Sequence, residues 1–322
     1  MKSTRAIKVI TSLSVGVVLL ASLSWIGLGQ VSGRIDRISV FAGLDNRPEK
    51  TSKALNYLLV GSDTREGLTK EEMKALRVGS TKTAAGGRSD TMLLVHISKK
   101  RDKAFLVSLP RDSLVTIPAH LSTDGKTQIP DRENKLNAAF AFGGAPLLIE
   151  TIERATNLKM DHYIEVSFAG FAGIVNALGG IEVCTKVDID DTKSHLVLSA
   201  GTHTLDGIEA LKYVRTRDFD GRGDIGRMQR QQQFMSSVIK KATSTGVLLN
   251  PIKLTNFLNA AISTVKMDET LSKNDLLDLA KQMRGLSSGN VRTLTVPLKT
   301  ANGRHPTAGS VVIWDPVLSA DL

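Results

Sequence analysis

Three short apolar runs constrain the fold of this chain more than any other feature of its sequence. They lie within residues 57–65, 87–95 and 105–112. Each is rich in valine and leucine and is bounded by glycine, proline or charge, which is typical of a β-strand. The polar residues 99–103 between the last two runs predict a hairpin turn. We therefore expect three neighbouring strands of an antiparallel meander.

Such a meander would bring charged residues together at one edge of a sheet. The first run ends at Asp63, the second begins at Arg88 and Asp90, and the third ends at Arg111. Two neighbouring carboxylates suit Mg²⁺, which proteins hold through one or two carboxylates and substrate phosphate. The planar guanidinium of arginine matches phosphate oxygens in pairs. The sequence therefore predicts a site for magnesium-bound pyrophosphate, the alternative being ordinary charges at strand ends.

A second group of arginines lies in a segment that also contains several glycines. Its members are Arg215, Arg217, Arg222, Arg227 and Arg230. This density in a glycine-rich segment exceeds what solubility alone requires and favours an anion-binding role.

A helix predicted over residues 227–241 places four side chains of this region on one face. They are Arg227, Arg230, Gln231 and Phe234. The polar ones fall near the N-terminus, where free N–H groups and the helix dipole favour an anion. Asp224, just before this helix, could cap it, orient an arginine or accept a proton. An exposed basic helix start is the alternative interpretation.

The N-terminal residues predict a membrane anchor. Three basic residues, Lys2, Arg5 and Lys8, precede a segment over residues 9–29 that has only serine, threonine and glycine among its apolar residues. Its length suits a transmembrane helix, and no cleavage-type sequence follows it, which favours an anchor over a signal peptide. The basic residues predict a cytoplasmic N-terminus and a domain outside the membrane. The predicted parts are a cytoplasmic tail (1–8), a transmembrane helix (9–29), a stalk (30–52) and one extracytoplasmic domain (53–322).

Composition narrows the class of partner. The formal net charge of +10 favours an anionic partner such as nucleic acid, anionic lipid or phosphorylated glycan. No nucleic-acid motif and no basic stretch interleaved with aromatic residues is present, which argues against nucleic acid. The single cysteine, Cys184, excludes an internal disulfide. Its strand-type surroundings predict a small buried side chain.

Helical and strand-type segments alternate in the rest of the chain. Helices are expected over 134–142 and 145–156, broken at Gly143-Gly144, and over 206–214, capped by Asp206. Further helices are expected over 168–178, 227–241 and 274–283, with one more ending near 258–261. Strands are expected over 162–166, 181–187, 291–296 and 311–314. This mixture of hairpins and crossovers predicts an α/β fold, a three-layer α-β-α sandwich on a mixed central sheet. Residues 64–87 are expected to form a mobile loop over the site.

A series of short motifs follows the same order as in a known family. They are Gly61-Ser62-Asp63-Thr64-Arg65, Arg88-Ser89-Asp90-Thr91, Pro110-Arg111-Asp112, Lys135-Leu136-Asn137-Ala138-Ala139-Phe140, Phe142-Gly143-Gly144, Val175-Asn176-Ala177-Leu178-Gly179-Gly180-Ile181, Tyr213-Val214-Arg215-Thr216-Arg217 and Gly223-Asp224-Ile225-Gly226-Arg227-Met228-Gln229-Arg230-Gln231-Gln232. Over about residues 55–245 the chain resembles the LytR-CpsA-Psr family of cell-envelope glycopolymer transferases.

This resemblance implies a function. Members of the family move a glycan 1-phosphate from a polyprenyl-pyrophosphate carrier onto peptidoglycan and release polyprenyl phosphate. By resemblance, Asp63 and Asp90 bind Mg²⁺, and a hydrophobic tunnel holds the polyprenyl tail. The pyrophosphate ligands implied are Arg88, Arg111, Arg215, Arg217, Arg227 and Gln231, to which the predicted helix face adds Arg230. Asp63, Asp90 or Asp224 would take the proton of the acceptor hydroxyl.

Three other functions fit the same residues. One is hydrolysis of the same lipid pyrophosphate, with water as the acceptor. Another is a membrane-anchored module that binds polyprenyl phosphates without turnover. The last is transfer of the glycan to a surface protein instead of peptidoglycan. The products of the reaction separate these functions.

Overall fold

The computed structural model describes residues 36–62, 68–76, 89–216, 223–242, 244–248, 252, 257–259, 262, 265–282 and 290–319. The predicted anchor over residues 9–29 lies outside these ranges. Within them, no helix has both the length and the apolar character needed to cross a bilayer.

Seventeen strands are present in the described ranges. They are β1 (Asp36–Ile38), β2 (Leu55–Ser62), β3 (Ser89–Ile97), β4 (Ala104–Leu109), β5 (Leu114–Ile117), β6 (His120–Leu121), β7 (Gln128–Ile129), β8 (Arg132–Lys135), β9 (His162–Val166), β10 (Ile181–Thr185), β11 (Ile189–Asp191), β12 (Leu196–Leu198), β13 (Gly201–Leu205), β14 (Val265–Asp268), β15 (Val291–Thr295), β16 (Leu298–His305) and β17 (Gly309–Trp314).

The helices accompany these strands on both sides of the main sheet. They are α1 (Lys70–Leu76), α2 (Leu136–Thr156), α3 (Phe168–Ala177), α4 (Gly207–Arg215), α5 (Gly223–Ala242), α6 (Thr245–Leu248) and α7 (Lys273–Gln282). Helix α2 is kinked at the predicted position, where Gly143 and Gly144 leave helical geometry and Gly144 has a φ of 64°. Asp206 caps α4 as predicted, in a reciprocal capping box with Glu209.

Seven strands form the central sheet in the order β1-β14-β9-β2-β3-β4-β15. Strands β2, β3 and β4 are consecutive antiparallel neighbours, which confirms the predicted meander. Strand β9 runs parallel to β2, and β15 runs parallel to β4. The sheet is therefore mixed, as expected.

Side chains of this sheet point alternately into two apolar layers, as the two-residue period of a strand requires. On one face, Leu58, Val60 and Met92 pack with residues of α2 such as Leu148. On the other face, residues such as Leu106 pack with side chains of α5 and α7. A helix-covered sheet with two buried faces is the predicted three-layer arrangement.

A second apolar cluster lies beside this sandwich. It combines α1, α3, α4 and α5 with the small sheets β10–β13 and β11–β12. Helix α4 packs closely here, because a Cβ on Gly207 would lie 2.4 Å from the carbonyl oxygen of Ala172. This cluster anchors α4 and the first half of α5 to the rest of the domain.

The structure differs from the sequence-based expectations in five places. The helix expected over 134–142 begins at Leu136, because Asn134 and Lys135 belong to β8. The folded body begins before residue 53, because β1 joins the central sheet and Val40 is fully buried, in a segment expected to be a stalk. Residues 70–76 of the expected loop form α1. Helix α5 begins at Gly223 rather than Arg227. Cys184 is exposed, since it faces outward in the alternating pattern of β10.

Candidate active site

Several strands of the central sheet terminate on the same side of the sheet. We call this row of strand ends, which runs across the strands, the site edge. Strands β2, β4, β9 and β15 end there, and β3 begins there. The last residues of β2 and the first of β3 are the buried Ser62 and Ser89. The predicted convergence of the three sequence runs is thus present in the backbone. The opposite edge carries the turn at residues 98–103.

Asp90 lies at an irregularity in the pairing of β2 with β3. Gly61 pairs with Thr91, but the next residue, Ser62, pairs with Ser89, so that Asp90 is an extra residue on β3. Bulges of this kind are over-represented next to active sites because they re-aim a side chain. The structure describes only the backbone of Asp90. Asp63 and Arg88 lie outside the described residues.

Arg111 lies in a tight loop that follows β4. Its carbonyl oxygen accepts a hydrogen bond from Asn137 N at 3.0 Å, at the start of α2. The neighbouring Asp112 carboxylate lies 3.4 Å from Arg111 Nε and 3.0 Å from Lys135 Nζ. About a quarter of each of these three side chains is exposed. Arg111 of the loop and Lys135 of β8 are therefore two partly accessible cations that share one carboxylate.

The hairpin β16–β17 also contacts the loop that carries Arg111. Val312 N donates to Asp112 O at 2.9 Å, and Trp314 Nε1 donates to the buried Ser113 Oγ at 2.7 Å. The sequence analysis missed this contact, because the hairpin lies about 200 residues further along the chain. No local pattern signals such a long-range hydrogen bond.

Arg215 ends α4 and reaches two elements. Its Nη1 donates to Leu76 O of α1 at 3.3 Å, and its guanidinium carbon lies 5.3 Å from the centre of the Phe168 ring. A cation over an aromatic face is attracted by the negative face of the ring. Phe168 lies two residues after the end of β9, so this contact holds Arg215 near the site edge. Arg217 lies outside the described residues.

The predicted polar face of α5 packs inward. Arg227 and Arg230 are 8% and 4% exposed, and Phe234 below them is buried. Arg230 Nη2 donates to Thr216 O at 2.6 Å, and Gln231 Nε2 donates to Val214 O at 3.2 Å. Both bonds tie α5 to the end of α4. Because α5 begins at Gly223, Arg227, Arg230 and Gln231 lie beyond its first turn. Asp224 belongs to that turn, and the structure describes only its backbone.

A glutamine that the sequence analysis did not select also lies here. Gln232 Nε2 lies within hydrogen-bonding distance of Leu294 O, Ser108 Oγ and Thr295 Oγ1 at 2.8, 2.9 and 2.9 Å. These acceptors belong to the ends of β4 and β15 at the site edge. The helix that carries Arg227 is thereby joined to the strand that precedes Arg111.

Burial and charge act together at the α4–α5 junction. Burial raises the pKa of the Tyr213 hydroxyl, and the positive charge of Arg230 opposes this shift. The tyrosine is therefore neutral at physiological pH and contributes an aromatic wall near Phe234. The described part of the site combines cationic groups with apolar surface.

The residues predicted to bind a metal ion are Asp63 and Asp90, and the structure does not describe their side chains. Among the described residues, no group of three or more His, Cys, Asp or Glu side chains is placed to hold a metal ion. The backbone places Asp90 at the bulge opposite Ser62. Ser62 is the residue that precedes Asp63 in the sequence. Two hard carboxylates at one strand end suit Mg²⁺.

Comparison with known proteins fits this fold and arrangement. The model of the LytR_cpsA_psr family matches residues 34–313, and the chain belongs to this family. It is 38% identical over 260 residues to the "Probable cell wall biosynthesis protein LcpB" of Corynebacterium glutamicum, covering 81% of this chain and 58% of that protein. The alignment with another relative from the same organism, LcpA, covers 62% of its length. The chain thus spans about three fifths of these two relatives.

Two further similarities cover more of the related protein. The chain is 30% identical over 269 residues to the "Polyisoprenyl-teichoic acid--peptidoglycan teichoic acid transferase TagU" of Bacillus anthracis, covering 83% of each. A solved structure of "TagT bound to LI-WTA" superposes with a TM-score of 0.63 at 26% identity, covering 88% of this chain and 96% of that one. The mixed α/β fold with a central mixed sheet is therefore the fold of the family.

Proposed function

We propose that this protein is an Mg²⁺-dependent phosphotransferase that moves a glycan phosphate from a polyprenyl-pyrophosphate carrier onto peptidoglycan. Arginines from three elements at one sheet edge carry this proposal: Arg111 after β4, Arg215 at the end of α4, and Arg227 on α5. Pyrophosphate is the ligand that such a set of planar cations fits. TagU, which is named as a polyisoprenyl-teichoic acid–peptidoglycan transferase, supports the same substrate class.

The proposed reaction is an in-line phosphoryl transfer. A hydroxyl oxygen of the acceptor sugar forms a new bond to the glycan-bearing phosphorus, and the bond from that phosphorus to polyprenyl phosphate breaks. Polyprenyl phosphate leaves with the bonding electrons, and the hydroxyl proton passes to a carboxylate, with Asp63, Asp90 and Asp224 as candidates. No nucleotide is needed, because the carrier pyrophosphate already holds the energy of the step.

The arginines would act mainly by holding charge. As the bond to polyprenyl phosphate lengthens, negative charge grows on the leaving oxygen, and fixed cations stabilise it without reorganising. Arg88 and Arg217 would complete the set with Arg111, Arg215 and Arg227. Gln231 and Arg230 would align α5 and offer remaining donors.

Mg²⁺ would be held by Asp63 and Asp90. When bound, the ion supplies neutralisation of charge on the pyrophosphate oxygens. The proposal predicts that chelation of divalent ions abolishes transfer and that Mg²⁺ restores it. Asp63→Ala should behave like chelated protein, and full activity in this variant without bound metal would exclude the two-aspartate site.

We also propose that residues 9–29 anchor the domain so that the site edge faces the membrane. Strand β1 runs parallel to β14, so it begins on the side of the site edge. Its first residue, Asp36, lies level with Val60 of β2 through Lys266 and Glu165. Val60 is two residues, or about 7 Å, from the end of β2. An anchor would therefore join the domain near the proposed site.

Energy transfer to dye-labelled lipids tests this orientation. Full-length protein with Cys184→Ser would carry one cysteine, either at Gln233 of α5 or at Lys100 in the opposite turn. Both residues are exposed, and Lys100 lies in the turn beyond Ile97, which is about 17 Å along β3 from the level of Asp36. We expect stronger transfer from position 233. Equal or reversed transfer would exclude the orientation without affecting the enzymatic proposal.

The reaction itself is tested with full-length protein, a polyprenyl-pyrophosphate saccharide, Mg²⁺ and peptidoglycan fragments, read by mass spectrometry. A glycan joined to the fragment through a phosphodiester supports the transferase. Free saccharide phosphate with unmodified fragment would indicate a hydrolase. Intact lipid on unreacted protein would indicate a binding module, and a modified surface protein would indicate a different acceptor.

A further inference from the structure

We infer that Gln232 is a positioning residue that fixes the arginine-bearing part of α5 against the strand ends of the site edge. The inference deepens the proposed function and rests on it for its kinetic consequences. Its structural half, the connection between α5 and the sheet, stands on contacts of described residues and can be tested separately.

The Gln232 amide connects α5 to two strands at once. Gln232 is only 8% exposed, and its Nε2 faces one carbonyl and two hydroxyl oxygens. Ser108 belongs to β4, while Leu294 and Thr295 belong to β15, the parallel neighbour of β4. Hydrogen bonds are directional and short. They therefore fix the distance between helix and strands more narrowly than apolar packing does.

The same turn of α5 is also tied to α4. Arg230 bonds to Thr216 O and Gln231 bonds to Val214 O, on either side of Arg215 in sequence. Three consecutive residues of α5 thus bridge two parts of the site. One part is the end of α4 with Arg215, and the other is the end of β4, three residues before Arg111.

This bridge has a direct consequence for pyrophosphate binding. Arg111 and Arg227 lie on elements that are far apart in sequence, and the Gln232 contacts join those elements close to both. A pyrophosphate held by both arginines requires a fixed spacing between them. A misplacement of about 1 Å in such a site can reduce catalysis by about 10²-fold. Gln232 therefore sets the spacing without needing to touch the substrate.

The neighbouring Gln233 provides a matched control. It has the same side chain on the same helix, but it is exposed. Methionine has nearly the length and volume of glutamine and lacks the N–H donors. Gln232→Met therefore removes the hydrogen bonds while keeping the packing, and Gln233→Met changes the same chemistry where no strand is reached.

The test compares Gln232→Met and Gln233→Met in the full chain, using a polyprenyl-pyrophosphate saccharide as the probe. We expect Gln232→Met to lower kcat/KM by about 10²-fold and Gln233→Met to change it by less than about twofold. Combination with Arg227→Ala separates positioning from general destabilisation. If Gln232 acts by placing Arg227, the double variant is little worse than Arg227→Ala alone. Fully additive losses, or equal activity of the two glutamine variants, would overturn the inference.

A second readout does not depend on the reaction. Hydrogen exchange of the backbone amides at residues 227–231 should become faster in Gln232→Met and stay unchanged in Gln233→Met. If the two variants show this difference in exchange but the wild-type protein shows no transfer, the proposed function fails and the structural connection holds. If Gln232→Met does not fold, Thr295→Val, which removes one acceptor hydroxyl, takes its place. Unchanged exchange in the folded variant would also refute the inference.

Discussion

The two edges of the central sheet use polar residues in opposite ways. At the edge opposite the site, the Asp268 carboxylate accepts hydrogen bonds from Tyr163 N, Thr270 N and Leu271 N at 3.0, 2.9 and 3.0 Å. His162 Nδ1 lies 3.3 Å from the same carboxylate. Here a single anion is surrounded by donors of the protein itself, and residues 162–163 are joined to residues 268–271.

At the site edge, the described hydrogen bonds of the arginines lead mainly to carbonyl oxygens. Arg215 donates to Leu76 O, and Arg230 donates to Thr216 O. Arg111 lies instead against the Asp112 carboxylate, with Nε 3.4 Å from a carboxylate oxygen. The opposite edge thus surrounds one anion with donors of the protein, whereas the site edge collects arginine side chains from several elements.

The largest expected effect concerns the cations of the site edge. Arg111→Ala should lower kcat/KM for glycan transfer by about 10²–10³-fold, because a fixed cation at developing phosphate charge is lost. Arg101→Ala is the matched control, since Arg101 lies in the turn at the opposite edge and bonds to Ser98 O and Lys53 O. Steady-state kinetics with the lipid substrate measure both. Equal losses in the two variants would remove the distinction between the edges.

The next effect concerns stability at the opposite edge. Burial alone would raise the pKa of Asp268, but hydrogen bonds from His162, Thr270 and Tyr163 lower it to about 2. Because the folded pKa lies below the ordinary value, this carboxylate stabilises the fold by about 2–3 kcal/mol above about pH 4. That contribution disappears as the pH falls through about 2.

Asp268→Asn should therefore reduce the free energy of unfolding by about 2–3 kcal/mol at pH 7. Denaturant unfolding at a series of pH values should show the gap to wild type closing between about pH 4 and pH 2. Asp45→Asn is the control, because Asp45 is exposed. A gap that stays constant down to pH 2 would contradict the stated origin of the stability.

A smaller effect is expected where the C-terminal hairpin supports the Arg111 loop. Trp314→Phe keeps an aromatic ring but removes the donor to Ser113 Oγ, which should cost about 1–2 kcal/mol of stability. It should also reduce transfer several-fold, since the loop that carries Arg111 loses one support. Thermal unfolding and kinetics would be measured on the same sample. Unchanged transfer despite lower stability would show that the hairpin does not position the loop.

The smallest effect is expected at Cys184. Its side chain is exposed on β10, so Cys184→Ser should change the free energy of unfolding by less than about 0.5 kcal/mol. The buried position predicted from the sequence would have required a larger loss. Modification of wild-type protein by a thiol reagent under native conditions gives an independent check, and slow modification would favour burial.

Local patterns predicted much of the fold because the forces involved are local. The short apolar runs of β2, β3 and β4 and the short turn at 99–103 were enough to predict the meander. The Asp206 cap and the Gly143–Gly144 kink followed from the conformational preferences of single residues. Segment β1 was missed, because three residues are too few to show a periodicity.

The chain by itself determined which chemistry is available. Its motifs contain the aspartates and arginines, and the spacing of Arg227, Arg230 and Gln231 already placed them on one helix face. Only the tertiary structure decided how these groups are held. The Gln232 bonds to β4 and β15 and the Trp314 bond to Ser113 join residues 62 to 201 positions apart. Such contacts depend on how whole elements pack, and local sequence carries no record of that packing.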